Sequence, residues 1–107
     1  MNKYQEIIKN IEDKYNPNNQ CLLNIESFVS WLGERNPDLL NVVDISQYFN
    51  DGIVLEWANE KGRLIAEIND KETRYQVKFS SGEIRAEKHP VPIKVVDDVF
   101  EALKEMY

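Results

Sequence analysis

The chain has 107 residues, about the size of one domain, and 42% of them are hydrophobic, so we expect a folded protein rather than a disordered one. It has 19 acids against 13 bases, a net charge of −6, which disfavours nucleic acids and anionic membranes as partners. The sequence has no stretch of roughly 18 apolar residues and no apolar leader, and Cys21 is its lone cysteine, so we predict a soluble cytoplasmic protein without a disulfide.

Two amphipathic helices are predicted at the start of the chain. Apolar residues recur at the helical period over residues 3–15 and again over residues 22–34. An Asn-Pro dipeptide follows each pattern, and proline cannot continue a helical hydrogen-bond ladder. Residues 37–49 are ambiguous. Asn36 as a cap and Pro37 in the first turn favour a short helix, whereas the apolar residues that follow could be extended. We expect a short turn of helix and then an irregular or extended link.

The middle of the chain alternates between apolar and polar residues, which predicts an antiparallel meander. We expect about four strands, at residues 53–58, 63–69, 73–79 and 83–88. The short polar connections force neighbouring strands to run antiparallel. A last apolar stripe predicts a C-terminal helix over residues 93–106. The predicted fold is therefore α+β, one domain over residues 1–107 with its helices packed on one face of the sheet.

Acidic side chains are concentrated in one third of the chain. Between Glu26 and Glu60 there are seven acids and a single base, Arg35, so this stretch accounts for the whole net charge. Such a surface would steer a basic partner, and aromatic residues in the same stretch would anchor it. The alternative interpretation is a solvated face that only aids solubility. The candidate partner-binding residues are Glu34, Asp38, Asp44, Tyr48, Asp51, Glu56 and Glu60.

The sequence contains none of the common catalytic, phosphate-binding or metal-binding motifs, so we predict no enzymatic activity, no metal and no cofactor. His89 is the only histidine and has no neighbouring ligand for zinc. Glu56 and Glu67 lie on adjacent predicted strands and could divide the roles of acid and base. The simpler interpretation is that both face solvent and pair with bases across the strands. Bases near the predicted sheet alternate with glutamates, so nucleic-acid binding is not expected.

Part of the predicted sheet has a recognisable pattern. The run from Asp51 to Trp57, followed by Leu64, Glu67-Ile68 and Tyr75, resembles a tryptophan-containing meander of small uncharacterised bacterial proteins. In size, charge and class the chain also resembles the immunity proteins of bacterial toxin–immunity systems, including contact-dependent growth inhibition. That resemblance implies a small protein that binds and neutralises a cognate toxin domain, which is often a nuclease.

Two functions are compatible with these patterns. The first is an immunity or antitoxin-like inhibitor, whose acidic surface would occupy the basic substrate-binding surface of a toxin domain. The second is an adaptor module that forms a homo-oligomer through a sheet edge or an exposed helix face. In that case the acidic stretch would serve solubility alone. The expected partner is a protein in both cases, and neither a nucleic acid nor a membrane.

Overall fold

The structure is a computed structural model and describes residues 2–47 and 52–107. In this part of the chain, helices pack on one face of a five-stranded antiparallel sheet. The helices are α1 (Lys3–Tyr15), α2 (Asn19–Arg35), a 3-10 helix (Pro37–Asn41) and α3 (Ile93–Met106). The strands are β1 (Asp44–Gln47), β2 (Ile53–Asn59), β3 (Gly62–Ile68), β4 (Thr73–Phe79) and β5 (Ile84–His89), and they neighbour one another in chain order. The predicted α+β meander is confirmed, with five strands instead of about four.

Asparagine side chains begin both N-terminal helices. Asn2 accepts a hydrogen bond from the Gln5 amide, and the Gln5 side chain accepts one from the Asn2 amide, which together form a capping box. Asn18 caps α2 by accepting from the Cys21 amide at 2.9 Å. With this cap, α2 begins at Asn19, earlier than predicted. The prediction followed the apolar stripe, which starts after the polar residues at the beginning of the helix.

The ambiguous stretch after α2 contains both of the elements that its residues favour. The Asn36 side chain accepts from the Asp38 amide at 3.1 Å and begins the 3-10 helix, with Pro37 in the first turn. The extended link then becomes β1, which pairs with β2 along all four of its residues. So short a strand places only two side chains on each face, which is too few for alternation to predict it.

The hydrophobic core lies between the helices and the inner face of the sheet. Trp57, Leu64 and Val77 are cross-strand neighbours on β2, β3 and β4, and all three are fully buried. Phe28 of α2 and Leu103 of α3 complete the same cluster from the helical side. The outer face of the sheet is covered by no described helix and is mainly polar, which explains the alternating sequence pattern.

Side-chain hydrogen bonds to the backbone join the helical layer to the sheet. The indole N–H of Trp57 donates to the carbonyl oxygen of Leu39 in the 3-10 helix at 2.9 Å. The side-chain amide of Asn59, at the end of β2, donates to the carbonyl oxygen of Met106 at 2.6 Å. These bonds fix the 3-10 helix and the end of α3 against β2. No helix in the described part of the chain is long and apolar enough to cross a membrane.

Candidate functional site

Three of the predicted partner-binding carboxylates lie in the segment from the end of α2 to β1, the strand at one edge of the sheet. Glu34 is exposed near the end of α2 and borders a shallow depression that Lys3 also lines. Asp44 is exposed at the start of β1 and borders a second depression lined by Lys3. Asp38 is exposed in the 3-10 helix between them in the chain. We call Glu34, Asp38 and Asp44 the acidic edge.

The negative charge of the acidic edge is not neutralised within the described residues. None of its three carboxylates forms an ion pair there. Arg35, the single base of the acidic stretch, is bound instead to the carboxylate of Asp97 on α3. Lys3, which lines both depressions, lies 3.9 Å from the carboxylate of Glu6. The acidic edge therefore keeps its negative charge within the described residues.

Glu56 lies directly opposite Asp44 on the outer face but is neutralised. Arg63 of β3 donates from Nε and Nη2 to the two carboxylate oxygens of Glu56 at 2.8 and 3.2 Å. These hydrogen bonds are the main reason that the pKa of the Glu56 carboxyl is lowered from its ordinary value. On the same face, Arg74 donates to Glu67 at 2.5 Å. The predicted cross-strand pairing of both glutamates is confirmed, and Glu56 offers a partner less free charge than Asp44.

The remaining predicted residues lie apart from the acidic edge or outside the described residues. Glu60 is exposed in the turn between β2 and β3, four positions after Glu56. At about 3.3 Å per strand residue, this places it roughly 13 Å further along the sheet. Tyr48 and Asp51 lie outside residues 2–47 and 52–107, so their role stays a prediction.

The structure adds two exposed apolar side chains next to the acidic edge. Tyr107 is 48% exposed, and its hydroxyl donates to the carbonyl oxygen of Ala58 at 3.5 Å. Partial burial, and then the carboxylate of Asp44, raise the pKa of Tyr107. Val42 is also exposed and precedes Asp44 by two positions. Sequence reasoning missed Tyr107 because only the fold brings it near Asp44, whereas Val42 could have been noticed as an apolar residue outside any periodic pattern.

The opposite side of the outer face carries two unpaired bases. Within the described residues, Lys78 of β4 and Lys88 of β5 have no carboxylate partner. Both are exposed. On the outer face of the described sheet, Asp44 is therefore an unpaired acid at the β1 edge, and Lys78 and Lys88 are unpaired bases toward the β5 edge. A basic partner would be attracted to the β1 edge.

The residues considered for chemistry make structural contacts. His89 lies at the end of β5, and its Nδ1 accepts a hydrogen bond from the Val91 amide at 3.0 Å. The thiol of Cys21 is buried and lies 3.6 Å from the carbonyl oxygen of Ile68. Over residues 2–47 and 52–107, no three side chains of histidine, cysteine, aspartate or glutamate are grouped so that they could hold a metal ion.

Comparisons with protein-family models, with curated proteins and with solved structures find no significant match to this chain. The resemblance to immunity proteins accordingly stays a prediction from size, charge and class.

Proposed function

We propose that this protein inhibits a basic protein by binding it through the acidic edge, as an immunity protein binds its toxin. The observation that carries the proposal is the free charge of Glu34, Asp38 and Asp44, which are exposed and unpaired within the described residues. A surface of this kind attracts a positively charged partner over a distance and speeds association. A nuclease-like toxin domain fits, because proteins that bind nucleic acid use basic surfaces for the phosphates.

Apolar side chains beside the charges would supply the contacts that slow dissociation. Tyr107 and Val42 are exposed next to Asp44 and would become buried under a bound partner. Buried aromatic residues surrounded by polar ones commonly account for most of the affinity at protein interfaces. Charge complementarity would then set the association rate, and the apolar contacts the dissociation rate. Such an inhibitor would act in the cytoplasm.

The first experiment captures the partner from the native host with the tagged protein as bait, at low and at high salt. The expected partner is a basic toxin domain encoded beside this gene, and it should be released as salt screens the charges. Expression of that domain should arrest bacterial growth, and co-expression of this protein should restore it. Reversal of the acidic edge (Glu34→Lys, Asp38→Lys and Asp44→Lys together) should abolish the rescue and slow association with the purified domain.

The matched control reverses three other exposed acids that form no ion pair within the described residues. These are Glu12 and Asp13 on α1 and Asp70 in the turn between β3 and β4. The change in net charge is the same, so the control should rescue growth as the wild type does. Equal loss of rescue in both triple variants, or full rescue by the acidic-edge variant, would show that the acidic edge is not the binding surface.

A further inference from the structure

We propose that two copies of this chain associate through their β5 strands into one continuous antiparallel sheet. The inference goes beyond toxin inhibition, because β5 lies at the opposite edge of the sheet from β1. Within the described residues β5 pairs only with β4, and the side chains of Ile84, Ala86 and Lys88 are exposed. An open edge strand presents unpaired N–H and C=O groups that another strand can bind.

Hydrogen bonding in the β4–β5 hairpin shows which backbone groups of β5 point away from the sheet. At the turn, the Phe79 amide donates to the carbonyl oxygen of Glu83 at 2.9 Å, so Glu83 directs its backbone groups toward β4. This direction alternates along an antiparallel strand. The N–H and C=O groups of Ile84, Ala86 and Lys88 therefore point outward, where a second strand can meet them.

A two-fold axis at Ala86 matches these groups between two copies. Ala86 then lies opposite Ala86 of the second copy, and Ile84 lies opposite Lys88 at both ends of the pair. Each outward-directed residue meets another outward-directed residue, which gives about six backbone hydrogen bonds between the copies. The small side chain of Ala86 at the axis allows the two strands to approach without a clash.

The same register brings one pair of complementary charges together on the inner side of β5. Arg85 lies opposite Glu87 of the second copy. Glu87 has no ion pair in the described part of the chain. The Arg85 guanidinium already binds Glu83 and Glu105, which raise its pKa, so Glu87 of the second copy adds a further carboxylate to a permanently charged group. Opposite charges across strands stabilise a pair.

The outer side of the pair is compatible as well. Ile84 is 55% exposed, and the aliphatic stem of Lys88 from the second copy would cover it. The β1 edge fits a second copy less well, because its described part has four residues and carries Asp44, one of the acids of the acidic edge. Two β1 strands would bring like charges together, so the charges favour β5.

Sedimentation velocity over a range of concentrations tests the pairing, with the 12.6 kDa monomer expected to convert to a species of twice that mass. A single strand pair buries a narrow strip, so the dimer should be weak and concentration-dependent. Two variants of one residue make the test specific. Ile84→Lys places like charges opposite Lys88 and should raise the dissociation constant about tenfold, whereas Ile84→Glu places opposite charges there and should lower it.

Both variants remove the same isoleucine, so a difference between them reports charge and not the loss of apolar surface. Adding Lys88→Glu to Ile84→Lys should restore the dimer. Hydrogen exchange should slow with concentration at the amides of Ile84, Ala86 and Lys88, and stay unchanged at those of Arg85 and Glu87, which face β4. A monomer at every concentration, equal effects of the two Ile84 variants, or exchange that is independent of concentration at the three outward amides would each overturn the proposal.

Discussion

Trp57 joins the sheet to the 3-10 helix that carries Asp38, and a Trp57→Phe variant tests this link. The Trp57 side chain is fully buried, and its indole N–H donates to the carbonyl oxygen of Leu39 at 2.9 Å. Phenylalanine keeps an aromatic ring in the core but has no donor. The buried carbonyl of Leu39 loses this partner, and the smaller ring leaves unfilled space in the core.

The expected cost follows from these two losses. Leaving a buried acceptor unpaired costs about 1–3 kcal/mol. The cavity adds about 1 kcal/mol. We therefore expect Trp57→Phe to lower the free energy of unfolding by about 2–4 kcal/mol, a large part of the roughly 5–15 kcal/mol that stabilises a typical domain. Urea denaturation followed by far-UV circular dichroism measures the change.

Trp31→Phe is the matched control, because it makes the same substitution at an exposed tryptophan. Trp31 is 39% exposed, and the Arg35 guanidinium lies 5.1 Å from the centre of its ring. The loss there should stay below about 1 kcal/mol. Equal losses in the two variants, or a loss below 1 kcal/mol at Trp57, would refute the role given to the indole hydrogen bond.

The sheet offers three further tests. In Gly62→Ala, the new Cβ would lie 2.9 Å from the backbone carbonyl oxygen of Lys78, so urea denaturation should show a free energy of unfolding lower by about 1–3 kcal/mol. An unchanged free energy of unfolding would mean that β3 and β4 move apart easily at this point. Thr73→Val should raise the free energy of unfolding by about 1 kcal/mol, because the Thr73 hydroxyl is buried with no hydrogen-bond partner in the described part of the chain; a lower melting temperature would contradict this. The hydrogen bonds from Arg63 lower the pKa of the Glu56 carboxyl in the folded protein. The ion pair therefore stabilises the fold fully above the pKa of an unfolded glutamate, about 4.3, and this stabilisation is lost as the pH falls through the lower folded pKa. Glu56→Gln should thus be less stable than the wild type at pH 7, by less than about 1 kcal/mol, with a difference that shrinks in acid; a difference independent of pH would exclude the linkage.

The elements with a long, regular apolar pattern could be predicted from sequence to the residue. Helices α1 and α3 and strand β4 have the predicted bounds, because each presents an uninterrupted stripe or alternation to the core. The extended link after the 3-10 helix could be expected from its residues, but its pairing with β2 as strand β1 could not be predicted. Such pairing depends on the position of a neighbouring strand and leaves little trace in a short sequence.

The candidate site divides in the same way. The excess of acids near β1 could be counted in the sequence, but the free charge of each carboxylate depends on tertiary contacts. Arg35 could have neutralised Glu34 beside it, and the fold directs it to Asp97 instead. Glu56 could have joined the acidic edge, and Arg63 across the strands neutralises it. Composition thus predicts the sign of a surface charge, and only the fold decides which groups carry it.

The two proposed surfaces lie far enough apart to be used at once. β1 and β5 are separated by four strand spacings, roughly 19 Å at about 4.8 Å each. A dimer through β5 would present its two acidic edges at opposite ends of the joined sheet. We therefore expect each dimer to bind two molecules of the basic protein. The forces at the two surfaces differ as well. Salt screens attraction between exposed charges but has less effect on backbone hydrogen bonds, so added salt should release the partner before it separates the two copies.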